Sequence, residues 1–188
     1  MRRLFLAVTL LLTGCAGFNP FGPGPVDPED ATAKPDLVLT GAGVLKFQCS
    51  ADKDGYWWRF IAPEVVLMNP AGRRVATQGA DFNFTAPDKS KLSSKIVSSA
   101  PGKTDADLKD VLFRVTPAGK IKTGTLTPYR WVKRDEAKGG IPTAVCNRNS
   151  LGNMLVVHFT ARYTFSSLRT PEIFPKNQPA AGFPLLHS

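Results

Sequence analysis

Histidine, cysteine and long apolar runs are scarce in this chain of 188 residues. Two histidines, His158 and His187, and three cysteines, Cys15, Cys49 and Cys146, leave little material for a metal centre. There is no C-x-x-C, no H-x-H and no H-E-x-x-H, so no metal is expected. The absence of G-x-S-x-G and of a Walker pattern removes the nucleophile elbow and the phosphate loop. The G-x-G of Gly41 to Gly43 lacks a third glycine and a following helix, so no dinucleotide cofactor is expected. Asp52 and Asp54 begin like a calcium loop, but the ligand series stops there and a hairpin turn is the better reading. Glu64, Asp81 and Asp88 have the chemistry of an acid–base pair, yet nothing in their spacing brings them together. Lysine and arginine outnumber aspartate and glutamate by 24 to 15, but no basic run reaches five residues, and nucleic acid is not an expected partner. No catalytic constellation is legible, and the chain is not expected to be an enzyme.

What is present begins with an address. Arg2 and Arg3 precede nine residues, Leu4 to Leu12, that are nearly all apolar. As a helix they rise about 14 Å, short of the ~30 Å hydrocarbon core, which fits a signal peptide and not a membrane span. The run ends Leu12-Thr13-Gly14-Cys15, which looks like a lipobox, with cleavage before Cys15 and acylation of that cysteine. Several acyl chains anchor stably where one binds only marginally. Ala16 is the next residue, where an aspartate would favour retention in the inner membrane. The expected location is therefore the outer membrane, facing the periplasm. Residues 1–14 are read as a lipoprotein signal peptide. Residues 15–36, with Pro20, Pro23, Pro25, Pro28 and Pro35, are read as the lipidated cysteine and an extended tether. Cleavage removes Arg2 and Arg3 and leaves a mature charge of +7, which suits either anionic lipid or cell-wall polymer as a neighbour or simply a soluble basic surface.

Residues 37–167 read as strands. Short β-prone runs, such as "GVLKFQC" (43–49), "GYWWRFIA" (55–62) and "VLFRVT" (111–116), alternate with turn signals. In "MLVVHFTARYTFSS" (154–167), Val157, Phe159, Ala161, Tyr163 and Phe165 share one face, and His158, Thr160, Arg162, Thr164 and Ser166 the other. "TDADLKD" (104–110), with Thr104 as a candidate N-cap, is the one expected helical turn. The expected class is all-β: a single antiparallel β-sandwich or a small β-barrel. Residues 168–188, with four prolines, form a C-terminal tail.

Cys49 and Cys146 remain once Cys15 carries lipid. A pair in an oxidising periplasm is expected to form a disulfide, here closing 97 residues of sequence. The aromatics offer a candidate binding surface. Tyr56, Trp57 and Trp58 are consecutive, so Trp57 points away from its two neighbours in a strand, and Tyr129 and Trp131 should share a face. Trp57, Trp58, Tyr129 and Trp131 are candidates for a sugar- or protein-gripping platform, set against the alternative of one core and one edge-covering tryptophan.

These segments also form a sequence of motifs. They are Phe47-Gln48-Cys49, the stretch Trp58 to Leu67, the turn Asn69 to Arg73, Phe84 to Ser90, Lys133 to Cys146 with Gly139-Gly140, and the closing "TARYTFS". In that order, over residues 43–166, they resemble the family called domain of unknown function 3455, small secreted proteins of bacteria and fungi. The resemblance implies a secreted β-rich fold with two cysteines and implies no activity. Three positions depart from the family pattern: Gln78 replaces a histidine, Phe84 a tryptophan and Lys89 a glycine.

The expected function is a lipid-anchored, periplasm-facing binding or accessory protein of the bacterial envelope, with an envelope protein or cell-wall glycan as partner. The alternative is an inhibitor of a periplasmic enzyme or a small-ligand- or glycan-binding lipoprotein.

Overall fold

The computed structural model describes residues 26–29, 33–121 and 123–168. The expected signal peptide, the lipobox-like ending at Cys15, His187 and the expected tail from residue 169 lie outside the described residues. Eight antiparallel strands close into a barrel in sequence order: β1 (Ala33–Asp52), β2 (Gly55–Met68), β3 (Arg74–Gln78), β4 (Phe84–Thr85), β5 (Lys91–Ala100), β6 (Asp110–Ala118), β7 (Tyr129–Gly139) and β8 (Met154–Leu168). The closing ladder joins β1 to β8, from Ala33↔Leu168 to Gln48↔Met154. Barrel and sandwich were both open on the sequence, and the structure is a barrel.

The expected alternation of β8 is observed. Phe159, Ala161, Tyr163 and Phe165 are buried, while His158, Thr160 and Arg162 face out. Along this stretch of β8 an apolar inside and a polar outside are the reverse of a strand in a membrane-spanning barrel. β1 needs two glycines. A Cβ on Gly43 would stand 2.1 Å from the Glu64 backbone oxygen, and one on Gly41 would stand 2.4 Å from the Tyr163 ring, so side chains are excluded where β1 crosses its neighbours.

The core fills the end of the barrel where all eight strands pair. Leu39, Leu67, Leu92, Phe113 and Phe165 are at most 1% exposed. Rings continue through it in edge-to-face contacts: Phe84 meets Phe113, Tyr163 and Phe165, and Phe165 meets Tyr129.

Several boundaries differ from the sequence reading. The run 55–62 continues through Pro63 to Met68 as one strand, because Pro63 sits next to an irregularity of the β1–β2 ladder and at a point where β3 does not reach. β3 is an additional strand with no expected counterpart, since "RVATQ" is mostly small or polar. Residues 104–110 form a turn and no helix. Asp107 takes the Thr104 N–H and hydroxyl at 3.1 and 2.7 Å and also the Gly139 N–H at 2.7 Å, so its carboxylate is used across the chain and not along a helix. The short helical turns are instead two 3-10 turns, Ala80–Phe82 and Arg148–Ser150. The tether is shorter than expected: Val26 is buried, Asp27 pairs with Lys133 at 2.6 Å, and Ala33 to Asp36 already belong to β1.

The carboxylates weighed as an acid–base pair are apart in their contacts. Glu64 pairs with Lys46 on the outside of the barrel. Asp88 clamps two loops. It accepts the Ser90 N–H and hydroxyl at 2.9 and 2.6 Å, and the Thr125 N–H and hydroxyl at 2.7 and 2.8 Å. The Ser90 hydroxyl leads, with Thr125 and the backbone N–H groups, in holding Asp88 well below the ordinary carboxylate value. A depressed folded-state value means a contribution that is present above the unfolded value of 3.8 and is lost as pH falls below it. Asp88→Asn should therefore lower the Tm by a few degrees at pH 7, and the gap to wild type should shrink on acidification below 3.8. Thermal melts of both chains between pH 2.5 and 7 check this; a gap that is constant with pH would refute the clamp.

Candidate functional site

The lengths of the middle strands create an opening. β2 pairs with β3 only from Val65 to Met68, β3 with β4 at two positions, and β4 with β5 at two. The N-terminal half of β2 and the C-terminal half of β5 are therefore not bridged by a ladder. The turn Ala80–Phe82 lies in this gap and packs against both strands. Asp81 and Phe82 take φ of 55° and 56°, a left-handed backbone that a bulky side chain adopts only under constraint. The constraint is visible. The Phe82 carbonyl accepts from the Ser94 hydroxyl at 2.8 Å and from Gln78 Nε2 at 3.3 Å, and the Ser94 N–H donates to Asn83 at 3.2 Å.

Beside this turn lies a cavity of about 270 Å³. Leu45, Phe47, Phe60, Phe82, Ile96 and Val111 give it an apolar wall. Phe60 and Phe82 stack face to face at 5.4 Å, with Phe47 edge-on to Phe60 at 5.8 Å. Apolar side chains flank the gap: Tyr56, Trp57, Phe60 and Ile61 on β2, and Ile96 and Val97 on β5, are each at least 38% exposed. Apolar surface left in water on both banks of an apolar cavity is the usual mark of a binding site.

The polar part of the wall is cationic. Ser99, Lys109 and Arg134 line the cavity, and no acidic residue does. Arg134 comes from the inward face of β7, opposite Val111 and Tyr163 in the ladders, and is 6% exposed. Its Nη2 donates to the Lys109 carbonyl at 2.9 Å, and its buried Nε has no partner. Deeper in the barrel, the Tyr163 hydroxyl donates to Gln78 Oε1 at 3.0 Å. Burial pushes Tyr163 up to about 12, against the pull of nearby Arg134, so this phenol stays a neutral donor. Gln78, which stands where the resemblance has a histidine, is thus a fully buried bridge between β8 and the strained turn.

The expected aromatic platform is not assembled. Trp58 is opposite Cys49 on β1, near the start of β8, whereas Trp131 is opposite Ser166, near the end of β8. Met154 and Ser166, which mark these two levels, lie about 40 Å apart along the strand. Tyr129 and Trp131 do not share a face either. A register shift between them turns Tyr129 inward onto Phe165 and leaves Trp131 facing out, under the Arg114 guanidinium at 5.2 Å. Trp58 holds a loop: its indole N–H donates to the Ala144 carbonyl at 2.7 Å. Only Trp57, 40% exposed, belongs to the apolar banks of the cavity.

A larger cleft of about 570 Å³ carries Asp107, Asp110, Asp135 and Glu136, but its acids have partners. Burial alone would raise Asp135; the Arg162 fork, with both bonds at 2.9 Å, and Lys133 at 3.4 Å hold it below the ordinary value. Among the described residues no group of three or more His, Cys, Asp or Glu is placed to hold a metal ion.

Cys49 and Cys146 form the disulfide, with Cα atoms 5.5 Å apart. It ties β1 to the loop between β7 and β8 at the barrel end nearer the cavity.

No family model, curated protein or solved structure matches the chain.

Proposed function

We propose that the protein is a lipid-anchored envelope protein, held at Cys15 and facing the periplasm, whose barrel binds a small, largely apolar ligand in the gap between β2 and β5. The observation that carries this reading is the cavity itself: apolar walls, a strained turn at one edge and exposed apolar banks. At ~30 Å³ per small group, 270 Å³ has room for about nine non-hydrogen atoms, and the rest of a longer chain would lie on the exposed apolar banks of β2 and β5. The lipobox-like Leu12 to Cys15 supports the anchor, and the charged outer face of the barrel suits the water beside a membrane. This is the small-ligand form of the two functions expected from the sequence; the protein-accessory form drew on four aromatics that lie at opposite ends of the barrel.

The test uses the full chain purified from envelope membranes in non-ionic detergent and examined by native mass spectrometry. A ten-carbon alcohol, decanol, should add once per protein. Ser99→Trp, which puts a ring into the cavity from an exposed strand position, should weaken this adduct at least tenfold with an unchanged melting curve. Denaturing mass should show the acyl chains on wild type, and Cys15→Ser should move the protein out of the membrane fraction. Absence of a one-to-one adduct would overturn the ligand reading, and membrane-bound Cys15→Ser would overturn the anchor.

A further inference from the structure

We infer that the ligand is a single-chain anionic amphiphile whose head group pairs with Arg134 while its chain lies against Phe47, Phe60 and Phe82. The inference rests on the proposed ligand cavity and adds the chemistry of the head.

An arginine keeps its charge throughout the physiological range. Arg134 is a buried cation, 6% exposed, without an ion-pair partner among the described residues. Asp110 senses it only through space, as one of the influences on its own ionisation. The carboxylates that flank Arg134 in sequence and space are otherwise engaged: Asp135 faces outward to Arg162 and Lys133, and Glu136 to Arg162. Nη2 of Arg134 has the Lys109 carbonyl and the guanidinium lies beside the neutral Tyr163 hydroxyl, but the buried Nε has no acceptor and neither neighbour carries a negative charge. A buried charge without a counter-charge is costly, and a buried donor without an acceptor adds to that cost. A bound anion satisfies both.

The surroundings then define the rest of the molecule. The wall of the cavity holds a second cation, Lys109, and no acid, so a positively charged head is disfavoured and a negative one favoured. Everything else on the wall except Ser99 is apolar, which asks for a hydrocarbon body. A guanidinium takes a carboxylate or a phosphate monoester equally well as a planar fork, so the shared chemistry is an anionic oxygen head on one chain of about eight to ten carbons. The exposed apolar banks on β2 and β5 give such a chain a surface to slide across from a membrane or micelle to the cavity.

The same native-mass titration tests the head group. At pH 8, where a carboxylic acid is ionised, the full chain is offered decanoate, decyl phosphate, decanol and decyltrimethylammonium separately. Decanoate or decyl phosphate should bind at least tenfold more tightly than decanol, and decyltrimethylammonium more weakly than decanol. The tighter of the two anions identifies the head as carboxylate or phosphate. Arg134→Met should abolish the anion preference and leave decanol binding within threefold of wild type, whereas Arg134→Lys should keep part of the preference. The ligand ranking on wild type alone decides the matter should Arg134→Met fail to fold. Equal binding of decanoate, decyl phosphate and decanol would overturn this inference and leave the ligand cavity standing. No adduct with any of the four would overturn both.

Discussion

Removing the Cys49–Cys146 bridge, as the double variant Cys49→Ala, Cys146→Ala, should cost about 4–5 kcal/mol of unfolding free energy. The size follows from the 97 residues between the cysteines, since a longer closed loop restricts the unfolded chain more. Typical domains have a total of about 5–15 kcal/mol, so the variant should sit near the edge of stability at 25 °C. The slope of the urea transition should also rise, because the uncrosslinked chain expands further and exposes more surface. The native side is well prepared for the bridge. Cys49 is 1% exposed, its N–H and carbonyl are bonded to Asn153 and Gly152 at 2.9 Å, and Trp58 holds the same loop at Ala144. The loop should therefore stay on the barrel without the bridge, and most of the loss should appear through the unfolded state. Equilibrium urea unfolding of both chains checks the prediction. A loss below 1 kcal/mol with an unchanged slope would refute it.

Phe84→Ala should cost about 3–5 kcal/mol, the range for deleting a buried ring. Phe84 is 0% exposed and supplies half of the two-residue strand β4. Its ring meets Phe113 at 6.0 Å, Tyr163 at 6.3 Å and Phe165 at 5.4 Å, so β6 and β8 lose three edge-to-face contacts at once. β4 has only two backbone pairings on each side to hold it afterwards. The strained turn Ala80–Phe82 ends two residues earlier, so the variant should also lose decanol binding. Thermal melts and the adduct titration read the two effects. A variant that loses less than 1 kcal/mol would show that the ring is not a centre of the core.

How far such features were legible depends on how local their causes are. The inward face of β8 was readable because a strand with one wet side writes its environment into the sequence at every second residue. The cysteine pair was readable because, with Cys15 of the three set aside for lipid, the two that remain allow one pairing. Barrel closure was not, since it depends on β1 meeting β8 across the whole chain. The parity of Tyr129 and Trp131 was misread because one extra residue in a strand reverses every side chain beyond it. The cavity arises from the shortness of β3 and β4, which no composition announces. One signal for it was present. Val132 and Arg134 share a parity on β7, and an arginine in phase with the apolar residues of a strand is a buried cation that needs an explanation.

The sequential order of the strands sets a timetable for folding. Seven of the eight ladders form between strands adjacent in the chain and can grow as hairpins. The eighth joins Ala33–Asp52 to Met154–Leu168 and has to wait for the last segment to be made. Until then β1, the longest strand at 20 residues, carries an unpaired edge along the side later taken by β8. A chain cut before Met154 would keep that edge permanently and lose the loop that carries Cys146 to Cys49 only if cut earlier still, before residue 146. Cross-linking can therefore precede sealing: the bridge can set β1 and the approach to β8 side by side, so that the slow, long-range step becomes the zipping of two strands already held at one end.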